Sequence, residues 1–313
     1  MAARSLAAVE RDQRHGLQAA LLAFSLWGLL VVYWKQLAHL DPFEMVGWRV
    51  VSAAVLMVVV ATLRGRLALI RAAFGVPSTR RRIVLAAALL TVNWGTYVWA
   101  VVEGRVVETA LGYFLSPLAT IALGAVLFGE TLGRLQRASV LAASVAVVVL
   151  TASYGQVPWV ALLLAGSWSW YSLIKRGVPL GPIESLTSEL LVVGGPAAVI
   201  AATGFFAGSD GAPAQASAGD WVLIAAAGAV TSVPLLLFAF AAPRVPFTLL
   251  GPCNYLTPVI NFLLGWLVYD EAMPAARFVG FGFVWIALVL VTIHTLQADG
   301  AVRRKSEIPA PAS

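Results

Sequence analysis

Apolar residues in this chain run in long unbroken blocks, each closed by a short polar or Gly/Pro break. The blocks fall at about 17–36, 44–63, 83–102, 109–129, 135–152, 157–175, 183–206, 220–241, 247–269 and 276–296. A block of about 20 residues matches roughly 30 Å of hydrocarbon at ~1.5 Å per helical residue. The pattern therefore predicts ten membrane-spanning helices. Only YDEAMPAAR separates the last two. Strict alternation over runs of about ten residues, the mark of a membrane barrel, does not occur. The fold class expected is all-α integral membrane.

Composition agrees with the pattern. Of 313 residues, 60% are apolar and 12% charged, whereas a soluble domain of this size carries about a quarter charged residues. The first 16 residues are charged and lack a small-residue cleavage site, so the first block reads as a retained helix, not a signal peptide. The single cysteine, Cys253, excludes an intramolecular disulfide and a thiolate metal site.

Charge then sets direction. With the N-terminus placed inside, the inside segments hold 17 lysines and arginines, and the outside ones hold only Lys35, Arg105 and Arg277. Arg49 is left within a span. Short loops follow the positive-inside rule, so both termini are expected in the cytoplasm. The net charge of +6 accordingly marks basic cytoplasmic loops, and no nucleic-acid partner is expected. The longest outside break, 209–220, reads as a flexible polar linker. Arginine outnumbers lysine heavily and Ala, Gly and Val abound, a composition that suggests a GC-rich bacterial genome and hence a bacterial inner membrane.

One segment is written twice. YFLSPLATIALGAVLFGE at 113–130 aligns without a gap with NYLTPVINFLLGWLVYDE at 254–271, 141 residues on. Pro117 falls on Pro258, Gly124 on Gly265 and Glu130 on Glu271. Lys35, Pro42 and Glu44 recur as Lys175, Pro182 and Glu184 at an offset of 140, and Arg105-Val106 with Leu111-Gly112 recur as Arg244-Val245 with Leu250-Gly251 at 139. The chain thus divides into a tail (1–16), a five-helix repeat (17–152), a second five-helix repeat (157–296) and a C-terminal tail (297–313). Five is odd, so the second unit runs through the membrane in the opposite sense. Inverted-topology repeats are the architecture of secondary transporters, with the solute near the midplane where the repeats meet.

The residues that carry these landmarks also resemble a known family. G-Y-F-x-x-P-L at Gly112–Leu118 and G-E-x-L at Gly129–Leu132 are similar to motifs of the drug/metabolite transporter superfamily, EamA-type permeases of the RarD subgroup. So are E-x4-R (Glu44, Arg49), N-W-x2-Y-x-W (Asn93, Trp94, Tyr97, Trp99) and L-G-x3-Y-x-x-P (Leu250, Gly251, Tyr255, Pro258). Ser116 stands where that subgroup usually has Asn, and Asn254 where it usually has Gln. The resemblance covers roughly 16–297 and implies transport of a small organic solute.

Several residues are candidates for the transport pathway. Pro117 and Pro258 each leave a carbonyl without its donor and bend a helix, each beside a hydroxyl, Ser116 or Thr257. A hinge and a static packing kink are the two readings. Arg49 and its counterpart Glu189 lie several residues inside their spans, where a charge must pair, snorkel or face water. Inversion separates the two by about 15 Å in height, so they are expected at separate sites. Asn93, Trp94, Tyr97, Tyr113, Asn254, Tyr255 and Asn261 lie too deep for the aromatic belts, and Asn93 and Tyr97 share a helix face. Amides and aromatics line a cavity for an amphipathic solute or bond neighbouring helices. Lys35 and Lys175 at helix C-termini, with Glu44 and Glu184 at N-termini, match the helix dipole. Glu130 and Glu271 oppose it, which calls for another contact such as Arg134, Arg277 or a neighbouring helix.

No HExxH, GxSxG, paired aspartates or Walker A loop is present, so no enzyme, cofactor or metal is expected. The expectation is a secondary transporter with a small-molecule substrate and the lipid bilayer as its partners, export being favoured. A channel or receptor on the same fold, or uptake, is the alternative; proton coupling and a homodimer stay open. Reporter fusions after Arg71 and after Arg304 should read cytoplasm, and one at Ala214 should read outside. Residues 71 and 214 on the same side would remove the inverted arrangement.

Overall fold

The computed structural model describes residues 2–128, 131–206, 208, 211–241, 244–245 and 253–306. Its helices are α1 (Ala2–Gln36), α2 (Pro42–Leu63), α3 (Leu67–Gly75), α4 (Pro77–Val102), α5 (Val106–Phe128) and α6 (Arg134–Tyr154). They continue as α7 (Trp159–Arg176), α8 (Pro182–Thr203), α9 (Ala212–Gln215), α10 (Ala218–Ala241), α11 (Leu256–Leu263) and α12 (Ala275–Ser306). No strand occurs among the described residues.

The starts and stops follow local chemistry. Pro42, Pro77 and Pro182 take the first helical position, where a missing N–H costs nothing. The Asp41 carboxylate caps α2 by accepting from the amides of Phe43 and Glu44, each at 2.9 Å. Gly155 ends α6 with φ of 69°, a left-handed backbone that glycine adopts without strain.

Among the described residues, eight helices are long and apolar enough to cross a membrane: α1, α2, α4, α5, α6, α8, α10 and α12. These match eight of the ten blocks. The sixth block forms α7, an 18-residue helix that ends on Lys175-Arg176. The ninth forms α11 and a π-helical turn at Leu264–Val268, whose N-terminal approach, 246–252, lies outside the described residues.

Three local expectations need correction. The break at 64–82 is not all loop: α3 forms because Ile70 and Ala73 bury one face, and α4 starts at Pro77, not near 83. The stretch taken for a flexible linker contains α9, whose Ala212 is 1% exposed and whose amide is held by Glu44. Pro258 does not break a continuous helix: it is the third residue of α11, after a turn at Tyr255. Pro117, by contrast, lies inside α5, as Pro196 does in α8 and Pro234 in α10.

Packing has a regular pattern. The principal contacts pair α6 with α12, α2 with α8, and α5 with α11. The others are α5 with α7 and α11 with α1; α4 with α7 and α10 with α1; α4 with α8 and α10 with α2. Numbering the ten blocks in order and exchanging each for the one five places on leaves this set unchanged. The polarity of the bundle is inverted relative to a soluble protein: large apolar side chains such as Leu63, Val126 and Val199 face outward, while Arg49, Asn93, Glu189 and Asn261 are buried. That distribution suits hydrocarbon as the surrounding solvent.

Glycine sets how closely helices cross. A Cβ on Gly228 of α10 would stand 2.5 Å from the backbone of Ser52 in α2. Gly228→Val should therefore lower the melting midpoint in detergent sharply, in line with overpacking costs of about 1–3 kcal/mol. Gly95→Ala, with nothing within 4 Å, should change it little. Equal effects would show that the crossing tolerates a side chain.

Candidate solute site

The spans carry their strongest polar groups inward because hydrocarbon offers them no hydrogen bonds. Arg49 of α2 is 3% exposed. Its Nε donates to Thr231 Oγ1 of α10 at 3.1 Å. The guanidinium lies over the Trp94 ring of α4 at 4.4 Å and over the Trp34 ring of α1 at 5.3 Å. Nη1 has no hydrogen-bond partner, and no ion pair to Arg49 occurs among the described residues. Tyr33, Tyr97 and Tyr113 lie close enough to interact with its charge.

The same cluster holds other incompletely bonded groups. The Tyr97 and Tyr113 rings lie 5.9 Å apart. Tyr97 faces Asn261 of α11, yet its hydroxyl and both polar atoms of the Asn261 amide lack a hydrogen bond of good geometry. Asn93 donates to Leu164 O at 3.1 Å and Ser167 Oγ at 3.0 Å, while its Oδ1 is unpartnered. Arg49, Trp94, Tyr97, Tyr113 and Asn261, all sequence candidates, thus belong to one polar and aromatic cluster that α1 and α10 complete, while Asn93 of α4 bonds to α7.

Glu189 is arranged differently. It is 1% exposed and accepts from the Tyr171 hydroxyl and Ser185 Oγ, each at 3.1 Å, as well as from Lys175 Nζ. Its carboxylate is fully bonded. Arg49 and Glu189 therefore have separate partners and do not pair with each other. Lys175, placed by the dipole argument as a cap of α7, also ties that helix to α8.

The remaining acids hold connections together. Glu44 accepts from the Ala212 amide at 2.9 Å, which pins α9 to the start of α2. Its counterpart Glu184 pairs with Arg66, at the start of α3, at 3.4 Å. Glu271 accepts the backbone amides of Val106 and Val107, the latter at 2.8 Å. A carboxylate there meets the positive end of α5, so the contact sought for Glu271 is a helix N-terminus and not an arginine side chain. Arg277 instead stacks on Tyr154 at 4.0 Å and donates to Ala272 O. The π-helical turn and the positive φ of 52° at Asp270 turn Glu271 back toward α5. Lys35 lies over the Tyr269 ring at 5.2 Å. Glu130 lies outside the described residues.

The two proline segments use their hydroxyls unequally. Ser116 donates to Gly112 O of its own helix at 3.0 Å, and Ser169 of α7 donates to Ser116 O at 3.0 Å. Thr257 donates across to Phe24 O of α1 at 2.7 Å. Tyr255 is half-buried at the turn before α11, and Asn254 beside it is exposed.

Sequence reasoning missed Trp34 and Thr231, which face the guanidinium, and Glu108. Trp34 sits near a span end, as an interfacial anchor does, and Thr231 is one hydroxyl among many. Glu108 pairs with Arg105 at 2.6 Å and accepts from the Val160 amide at 3.2 Å, joining α5 to α7. A carboxylate in the first turn of a helix was its only signal.

Comparison with known proteins then decides the family. The EamA-like transporter family matches residues 14–152. The RarD protein of Streptomyces exfoliatus is 40% identical over 96% of this chain and 96% of its own. The chain belongs to the RarD-like EamA transporters. The uncharacterized transporter YojE of Bacillus subtilis is 33% identical over 91% of this chain and 96% of its own, and RarD of Escherichia coli 30% over 92% and 97%. A protein crystal structure superposes with a TM-score of 0.57 at 19% identity, covering 90% of this chain and 98% of that one, a likeness of fold. Membership of this family and the apolar helices together make the chain a multi-pass membrane protein of the drug/metabolite transporter superfamily.

Burial pushes the Glu271 carboxyl above its ordinary value of 4.5, against the two amides and the nearby Lys35 and Arg277 that pull it down. The folded chain then keeps this proton to higher pH than the unfolded chain. Its contribution to stability is largest below 4.5 and is lost as pH rises through the folded value. Melting midpoints of the parent should fall relative to Glu271→Gln across that window. Parallel curves would show that Glu271 titrates normally.

Proposed function

We propose that this RarD-like protein is a secondary permease that carries a small organic solute across the bacterial inner membrane by alternating access. Both termini lie in the cytoplasm, and export is the favoured direction. The observation that carries the reading is the Arg49 cluster: deeply buried, polar and incompletely bonded, where α1, α2, α4 and α5 of one five-helix unit meet α10 and α11 of the other. Inverted-repeat transporters put their solute at such an interface. The exchange-symmetric packing supports two inverted units, as do the paired contacts Glu44–Ala212 and Glu184–Arg66, made by residues 140 apart in sequence.

In this reading Glu271 closes one end. It ties the end of the α11 segment to the start of α5, beside the α4–α5 turn and Lys35. Breaking that tie should open the cluster toward the Glu271 side and close it toward the other.

A test places one thiol at Thr231→Cys in a Cys253→Ser background, with and without Glu271→Ala. Labelling by a membrane-impermeant thiol reagent is measured in right-side-out and inverted vesicles. Glu271→Ala should raise labelling several-fold from the Glu271 side and lower it from the opposite side. A rise from both sides together would indicate a channel, and no change from either side would remove the Glu271 closure and the alternating-access reading with it.

A further inference from the structure

We infer that the Arg49 cluster binds the carboxylate of a small organic monoanion with a flat, ring-like body. Arg49 is a guanidinium at 3% exposure with Nη1 unpartnered. A buried cation without a counter-charge is strongly destabilising. Cation–π contacts are weaker than an ion pair, and the hydroxyl of Thr231 is a neutral acceptor, so the desolvation is only partly offset. An anion supplies what is missing. A guanidinium presents planar paired donors that match a carboxylate in two-point fashion. Asn261, at 0% exposure and facing only the Tyr97 hydroxyl without a well-formed hydrogen bond, offers a further donor to the same head group.

The charge and shape of the ligand follow from what stands around. Glu189 already neutralises Lys175, and Lys35 lies on the Tyr269 ring beside the end that Glu271 holds. The cluster itself therefore presents one uncompensated cation among the described residues, which suits a single negative charge. The Trp94 ring under the guanidinium and the adjoining Tyr97 and Tyr113 rings make the surroundings of the charge aromatic, which suits a flat, ring-like body. The inference rests on the permease reading only in making this anion the cargo.

The test uses the purified full-length chain in detergent. Binding of benzoate, phenylacetate and indole-3-acetate is measured by tryptophan quenching and thermal shift, beside the three matching carboxamides and phenylphosphonate. At least one carboxylate should bind, with its amide at least tenfold weaker. Arg49→Gln should abolish that preference, and Arg49→Lys should restore only part of it. Thr231→Val, which frees Nε without removing the charge, should weaken binding several-fold and serves if Arg49→Gln does not fold. Failure of all three carboxylates on the parent chain, equal binding of acid and amide, or a preference that persists without Arg49 would overturn the inference. Tighter binding of phenylphosphonate would replace the carboxylate with a dianionic head. A bound carboxylate that does not cross proteoliposomes would overturn the permease reading and leave the site. Flux of a neutral solute that is indifferent to Arg49→Gln would do the reverse.

Discussion

Hydrocarbon offers no hydrogen bonds, and most of what this bundle does with its polar residues follows from that constraint. Every charge brought into the interior must meet a partner from another helix or pay the cost of standing alone. Glu189 meets three donors, Glu44 and Glu271 meet backbone amides at helix starts, and Glu108 meets both Arg105 and the start of α7. Each of these bonds ties two elements. The acids are thus structural ties placed where helix ends expose unpaired amides.

Against that background the Arg49 cluster differs. Its guanidinium has a neutral oxygen and two rings, and Tyr97 and Asn261 beside it keep polar atoms without a well-formed hydrogen bond at almost complete burial. Buried polar groups in a well-packed protein are bonded with few exceptions. The exceptions beside Arg49 set this cluster apart from the fully bonded Glu189.

The ties and the cluster also divide the labour between the proline segments. Ser116 spends its hydroxyl on its own helix, and α5 runs on through Pro117. Thr257 bonds across to α1, and α11 restarts after a turn at Tyr255 with Pro258 in its first turn. A repeat in sequence has therefore become two different local structures, because the partner helices present different groups at the same place.

The sequence by itself determined the class and much of the layout. Apolar blocks at span length act through local composition, and local composition is what decides whether a segment enters a membrane. It also flagged Arg49, Asn93, Trp94, Tyr97, Tyr113 and Asn261, since polar groups deep in a span are costly wherever they point. What only the tertiary structure decided is which of them are satisfied. Glu189 and Arg49 stand 140 residues apart in the sequence, yet one is bonded by Lys175, Tyr171 and Ser185 and the other faces two tryptophans and Thr231. Hydrogen bonding and charge pairing depend on distances of about 3 Å between helices remote in the chain, and no spacing along a single helix encodes them.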